Sequence, residues 1–399
     1  MLLMQTFMRH EWSDRIKSPP GILLLAWVAA IVFLTLYPWG GWRSHSGDAW
    51  RFVSEPWPHY WTVFDVVVNI TAYAPLGALL ALVIAKPVHK LAGFRMFLVI
   101  VLVASSAGSL LSFTLECIQS WLPNRVPSKL DWLSNSIGTL AGASAMAGLI
   151  AWLQRGLLAN AATSLGRVIA VPIVQDQGQY QNQHQAWSRL TPGRLGIGLL
   201  ALGLWMVIQI NPQRLLFASG DVSGLLAEWF DIETSTLSLS QIAWLEPMIV
   251  AAQMCIVGSL VWTALSHPLA RRLALVLTIG GGLLIKSLAY SQLAPSAEPL
   301  WWLTAGAQGG LLIGATALAI MTTLRPATQN RIAFGLLLIV TFSANCAPDN
   351  PFFTTMIDNW DTGRLSSLHA LIETISVTWP LIALIYLWLA GLTYNRLHD

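Results

Sequence analysis

Residues 95–153 read RMFLVIVLVASSAGSLLSFTLECIQSWLPNRVPSKLDWLSNSIGTLAGASAMAGLIAWL. Two apolar runs, 95–118 and 131–153, flank a short polar loop from Ser120 to Leu130. Each run has the length needed to cross a bilayer as a helix, which takes about 20 mostly apolar residues. Ten such runs are found along the chain: 21–38, 62–85, 95–118, 131–153, 194–211, 241–265, 272–292, 300–323, 331–347 and 368–393. The sequence therefore predicts an all-α, polytopic integral membrane protein with about ten transmembrane helices.

Composition supports this reading. Of 399 residues, 55% are hydrophobic and only 10% are charged, whereas a soluble domain carries about 25% charge. Such a chain cannot cover a water-exposed surface, so an ordinary cytosolic enzyme and a disordered chain are excluded. A formal net charge of +3 without a basic run excludes electrostatic binding to nucleic acid. The 20 Trp residues suit membrane–water interfaces. Trp39, Trp42, Trp50, Trp57 and Trp61 read as an interfacial belt, with ligand stacking as the alternative. Cys117, Cys255 and Cys346 share no metal-type spacing and read as small apolar packing residues.

Charge sets the orientation. Arg9, Arg15 and Lys17 precede the first apolar run, which is followed by Pro38 and Trp39 rather than by a cleavage site. It reads as an uncleaved first helix. With the N-terminus inside, fifteen Lys and Arg fall in cytoplasmic segments and six in outer ones, with Lys286 inside a helix. That agrees with the positive-inside rule and predicts that both termini are cytoplasmic. Only Glu11, Asp14, Asp176 and Asp399 among the carboxylates fall inside, so the outer face carries the acidic groups. Four parts follow: a cytoplasmic segment 1–20, a four-helix domain 21–155, a Gln- and Asn-rich linker 156–193, and a six-helix domain 194–399. Gly138 and Gly142, and Gly306, Gly310 and Gly314, are small-xxx-small steps that let helix backbones approach closely.

Polar groups inside membrane helices are costly and mark candidate sites. Asp65, Asn69 and Tyr73 stack on one face of the second helix, which continues through Pro75-Leu76-Gly77. Glu116 and Gln119 share a face at the end of the third helix, and Asp131 and Asn135 share one at the start of the fourth. The loop between them supplies Arg125, Ser128 and Lys129. The ten-span topology puts all three clusters at one depth near the outer interface. Glu116, Asp131 and Asp65 are the candidate proton-exchanging carboxylates. Arg125, Gln119, Asn135, Asn69, Tyr73 and Ser128 are the candidate ligand contacts, Arg125 as a bidentate partner of a carboxylate or phosphate. The structural alternatives are that Asp65 and Asp131 cap their helices and that Glu116 and Arg125 form an ion pair. Glu246 and Glu373 read as helix-end residues, and Lys286 as a snorkelling side chain. His45 and His59 lack ligand spacing, and no nucleotide, haem or flavin signature is present, so no cofactor is expected.

Glu116, Gln119, Arg125, Ser128, Asp131, Asn135, Gly138 and Gly142, with Asp65, Asn69 and Pro75-Leu76-Gly77 upstream, resemble the signature of the VanZ-like family over about residues 20–155. The founding member of that family is linked to teicoplanin resistance. The resemblance therefore implies the cell envelope. With the apolar spans, a cytoplasmic-membrane location is expected, and a membrane lipid or lipid-linked envelope precursor is the hypothesised partner. It supplies no reaction. A binding or modifying protein at the outer leaflet is the first expectation. A scaffold without chemistry and a transporter or flippase are the competing ones.

Overall fold

A backbone in hydrocarbon must satisfy its own N–H and C=O groups, so apolar runs of this length become helices. The computed structural model describes residues 18–44, 47–88, 93–154, 191–220, 239–265, 268–293, 298–346 and 365–395. The expected cytoplasmic segment 1–20 and linker 156–193 lie almost wholly outside the described residues, as does His45.

Ten helices occur among the described residues: α1 (Pro19–Leu36), α2 (Val63–Val88), α3 (Gly93–Gln119), α4 (Lys129–Gln154), α5 (Thr191–Ile208), α6 (Leu239–Ala264), α7 (Pro268–Leu293), α8 (Ala305–Met321), α9 (Pro326–Cys346) and α10 (Ser366–Asn395). Seven of them are long and apolar enough to cross a membrane by length and composition alone. Helices α5 and α8 are apolar but shorter, and α9 carries Gln329, Asn330 and Arg331 in its first turns. Large apolar side chains such as Leu102, Leu110, Phe342 and Leu312 stand exposed on the helix exteriors. In water such patches would drive association, and in a membrane they face lipid. The chain is an all-α, multi-pass membrane protein.

By internal packing the chain forms two units, Met1–Gly196 and Ile197–Asp399. In the first, α2 and α4 lie backbone to backbone. A Cβ at Gly77 would overlap the Thr139 carbonyl, one at Gly138 the Ile70 carbonyl, and one at Gly142 the Ala74 carbonyl. The small-xxx-small step is therefore the seam of this pair. Toward one end of the unit, Ile31, Tyr73, Leu76, Leu115 and Leu122 form an apolar core. Toward the other, Ala81, Met96, Ile100, Ala147 and Ile150 form a second. Helix α1 is pinned to α2 where the Trp27 indole N–H donates to the Ala72 carbonyl at 2.9 Å.

In the second unit, α6 and α8 use the other glycine step. A Cβ at Gly310 would lie 2.6 Å from the Val250 Cβ, and one at Gly314 would lie 2.7 Å from the Met254 sulfur. The fifth span, expected to reach residue 211, ends at Ile208. Residues 209–220 then run as buried, irregular backbone, which is tolerated at membrane depth only when protein groups satisfy it. They are satisfied from three helices. Lys286 of α7 donates to the carbonyls of Asn211 at 2.6 Å and Arg214 at 2.7 Å. Tyr290 donates to the Pro212 carbonyl at 2.9 Å, and Asn345 of α9 to that of Gly220 at 2.7 Å. Glu373 of α10 accepts from Asn211 at 2.7 Å and from Arg214 at 3.4 Å. The expectation that Lys286 snorkels to the interface is thus corrected. It is 1% exposed, because the segment 209–220 presents carbonyl partners inside the unit.

Candidate functional site

Two short motifs of one kind start the helices that carry the site. Thr62 is the N-cap of α2, and its hydroxyl accepts from the Asp65 N–H at 3.2 Å. Asp65 reaches back to the Thr62 N–H at 3.0 Å and its hydroxyl at 2.8 Å, a reciprocal capping box. At α4, Ser128 is the N-cap. Its hydroxyl accepts from the N–H groups of Leu130 at 3.2 Å and Asp131 at 3.5 Å. Asp65 and Asp131 are therefore third residues of their helices, not the caps themselves. In Thr62-x-x-Asp65 the box takes up the carboxylate. In Ser128-x-x-Asp131 the carboxylate is left to point elsewhere.

It points across the glycine seam. Asn69 donates from Nδ2 to Asp131 Oδ1 at 2.9 Å, joining α2 to α4. One turn along α4, Asn135 donates to the Ser112 hydroxyl of α3 at 2.9 Å. Ser112 lies within hydrogen-bonding reach of the Tyr73 hydroxyl of α2. One turn further along α3, Glu116 accepts from the Ser128 N–H at 2.8 Å, tying the end of α3 to the start of α4. Glu116 is 3% exposed and lies close enough to Asp131 to feel its charge, as Asp131 does that of Asp65. Asp65, Asn69 and Asp131 are half-buried, so the cluster opens toward the ends of the helices. Six of the sequence-selected residues, Asp65, Asn69, Tyr73, Glu116, Asp131 and Asn135, converge in this way.

Two of the other three face α1. Arg125 donates from Nε to the Tyr37 carbonyl and from Nη2 to the Leu34 carbonyl, both at 3.1 Å. Gln119 donates to the Thr35 carbonyl at 3.1 Å. Together they satisfy carbonyls that the end of α1 leaves without intrahelical partners, and a cation there also complements the helix dipole. Ser128 serves as the cap already described. No ion pair joins Arg125 to Glu116. Burial pushes the guanidinium below its usual value and the nearby Glu116 charge pulls it back up. Lys129 is also committed, donating to the Glu55 carbonyl while its ammonium sits 4.8 Å above the Trp57 ring. Trp39, Trp42, Trp50, Trp57 and Trp61, at this end of the unit, are all exposed.

Sequence reasoning missed two features. Ser112, which links Tyr73 to Asn135, is one of several serines in α3, and in the sequence only its place one turn from Glu116 sets it apart. The second is a groove of about 530 Å³ between α3 and α4, lined by Ser105, Ser109, Phe113, Trp132, Ser136 and Leu140 among others. Ser136 donates to the Ser109 hydroxyl, which also accepts from the Trp132 indole, while the Ser105 hydroxyl has no partner.

No curated protein and no solved structure matches the chain. Residues 21–153 match the VanZ/LLP1 family model, and these residues are the four helices α1 to α4 that build the cluster. Residues 21–153 of this membrane protein are a VanZ-like domain, and further helices follow it as a C-terminal extension.

Proposed function

We propose that the VanZ-like domain binds a lipid-linked component of the cell envelope at the outer face of the cytoplasmic membrane, and through it alters susceptibility to teicoplanin-type glycopeptides. One observation carries this reading. Glu116 and Asp131, from different helices, share a buried polar cluster in which Asn69, Tyr73, Ser112 and Asn135 fix the geometry. Burying two carboxylates within range of each other is costly, and neither is balanced by a direct ion pair. A bound group that supplies hydrogen-bond donors would offset that cost. The exposed Trp residues at the same end of the unit support a ligand met at the membrane–water interface.

A scaffold reading has its own support. Arg125, Gln119, Ser128 and Asp65 are engaged in holding helix ends. Isosteric variants separate the two. Glu116→Gln and Asp131→Asn, expressed in a deletion strain at normal membrane levels, should each lose the glycopeptide-resistance or envelope-stress phenotype. Retention of the phenotype by both leaves the scaffold.

A further inference from the structure

The buried side-chain atom left without a partner in the cluster is an acceptor. Asn135 is 5% exposed, and its Oδ1 has no partner although Nδ2 is bonded to Ser112. It lies one turn from Asp131 on the same face of α4, with its Nδ2 directed to Ser112 of α3. Asp131 has one oxygen on Asn69, and Glu116 has one on the Ser128 N–H. What the site offers is therefore acceptor oxygens on Glu116, Asp131 and Asn135. The cations nearby are hydrogen-bonded elsewhere, Arg125 to the carbonyls of Leu34 and Tyr37 and Lys129 to Glu55, although Arg125 lies near enough for Glu116 to feel its charge. A phosphate would meet carboxylates here, and like charges at close range repel. A group that is positive and rich in N–H donors would meet both needs at once.

We propose that this site takes the primary ammonium of a membrane-lipid headgroup, with the lipid chain lying in the α3–α4 groove. The ammonium would sit among Glu116, Asp131 and Asn135. The groove is formed by the same two helices, its wall includes Phe113 and Trp132, which follow Ser112 and Asp131 in the chain, and it runs along α3 and α4 toward Ser105 and Leu140. The depth agrees, since Asp131 lies in the first turn of α4 and Glu116 in the last turn of α3, at the end of the unit that carries the exposed Trp residues. The inference rests on the ligand-binding reading of the cluster and narrows its ligand to an amine donor.

The test compares two lipids that differ only at nitrogen. Full-length protein is taken from vesicles of phosphatidylglycerol mixed with either phosphatidylethanolamine or phosphatidylcholine, and retained lipid is counted by native mass spectrometry. Both zwitterions carry one positive charge and one phosphate, but only ethanolamine has N–H donors. Retention of phosphatidylethanolamine should exceed that of phosphatidylcholine by about tenfold. Glu116→Gln and Asp131→Asn should erase the difference. Equal retention of the two zwitterions by the wild-type chain, or preferential retention of phosphatidylglycerol, overturns the proposal. The outcome is separable from that of the cellular assay. If the isosteres lose the phenotype while the wild type shows no amine preference, the ligand class is wrong and the site stands. If the preference is present and the isosteres keep the phenotype, lipid binding stands and its role in resistance falls.

Discussion

Arg125 shows how far one residue's chemistry can be read from sequence. Its type and its place between Glu116 and Asp131 suggested a fork for an anion. The fork exists, but it spans the Leu34 and Tyr37 carbonyls at the end of α1. Nothing local to Arg125 specifies this, because the partners lie about ninety residues earlier and depend on where α1 stops. Lysine keeps the charge but cannot reach both carbonyls in that geometry. Arg125→Lys should therefore destabilise the domain by about 1–3 kcal/mol, the loss expected for a charged hydrogen bond. Thermal unfolding of the purified full chain would register it, and an unchanged melting temperature would show that the fork is not structural. Asp65 and Asp131 were legible as helix-start acids. That Asp131 has an oxygen on another helix follows from Asn69, whose position opposite it depends on the packing of α2 against α4.

At the scale of elements, the glycine seam decides whether the site exists. Gly138 and Gly142 were visible as a spacing, and the structure adds Gly77 on the facing helix. Because a Cβ at Gly142 would overlap the Ala74 carbonyl, Gly142→Ala must push the α2 and α4 backbones apart. Overpacking of this kind costs about 1–3 kcal/mol, and it should also weaken the phenotype by separating Asn69 from Asp131. Gly148, on the same helix, has nothing within 4 Å of a built Cβ. Gly148→Ala should leave both stability and phenotype unchanged, and equal effects from the two variants would remove the seam from the account. In the second unit, the buried segment 209–220 depends on Lys286 in the same way. Lys286→Met removes the donor for two buried carbonyls and should cost about 2–5 kcal/mol, seen as reduced membrane levels or earlier unfolding. Hydropathy could not announce this segment, since residues 209–211 close an apolar run, residues 212–220 follow it, and only the fold shows which side chains satisfy their backbone.

At the scale of the whole molecule, the apolar runs of the sequence correspond to helices, because length and hydropathy act locally and need no partner. Their orientation is a separate matter of loop charge. Cysteine introduced at Ser46 or Ser235 should react with an impermeant thiol reagent in intact cells, and cysteine at Gln177 only after permeabilisation. Outside labelling at Gln177 would reverse the assignment of faces. The convergence of Asp65, Asn69, Tyr73, Glu116, Asp131 and Asn135 was legible as a shared depth. The bonds among them were not, since they cross between helices. The central claim is that Glu116 and Asp131 act as one functional unit, and a double-mutant cycle on resistance tests it most directly. With membrane levels matched, the account predicts that Glu116→Gln, Asp131→Asn and the double variant all fall to the deletion strain's level, because losing either member loses the unit. Partial, additive losses, or wild-type resistance in either single variant, would contradict it.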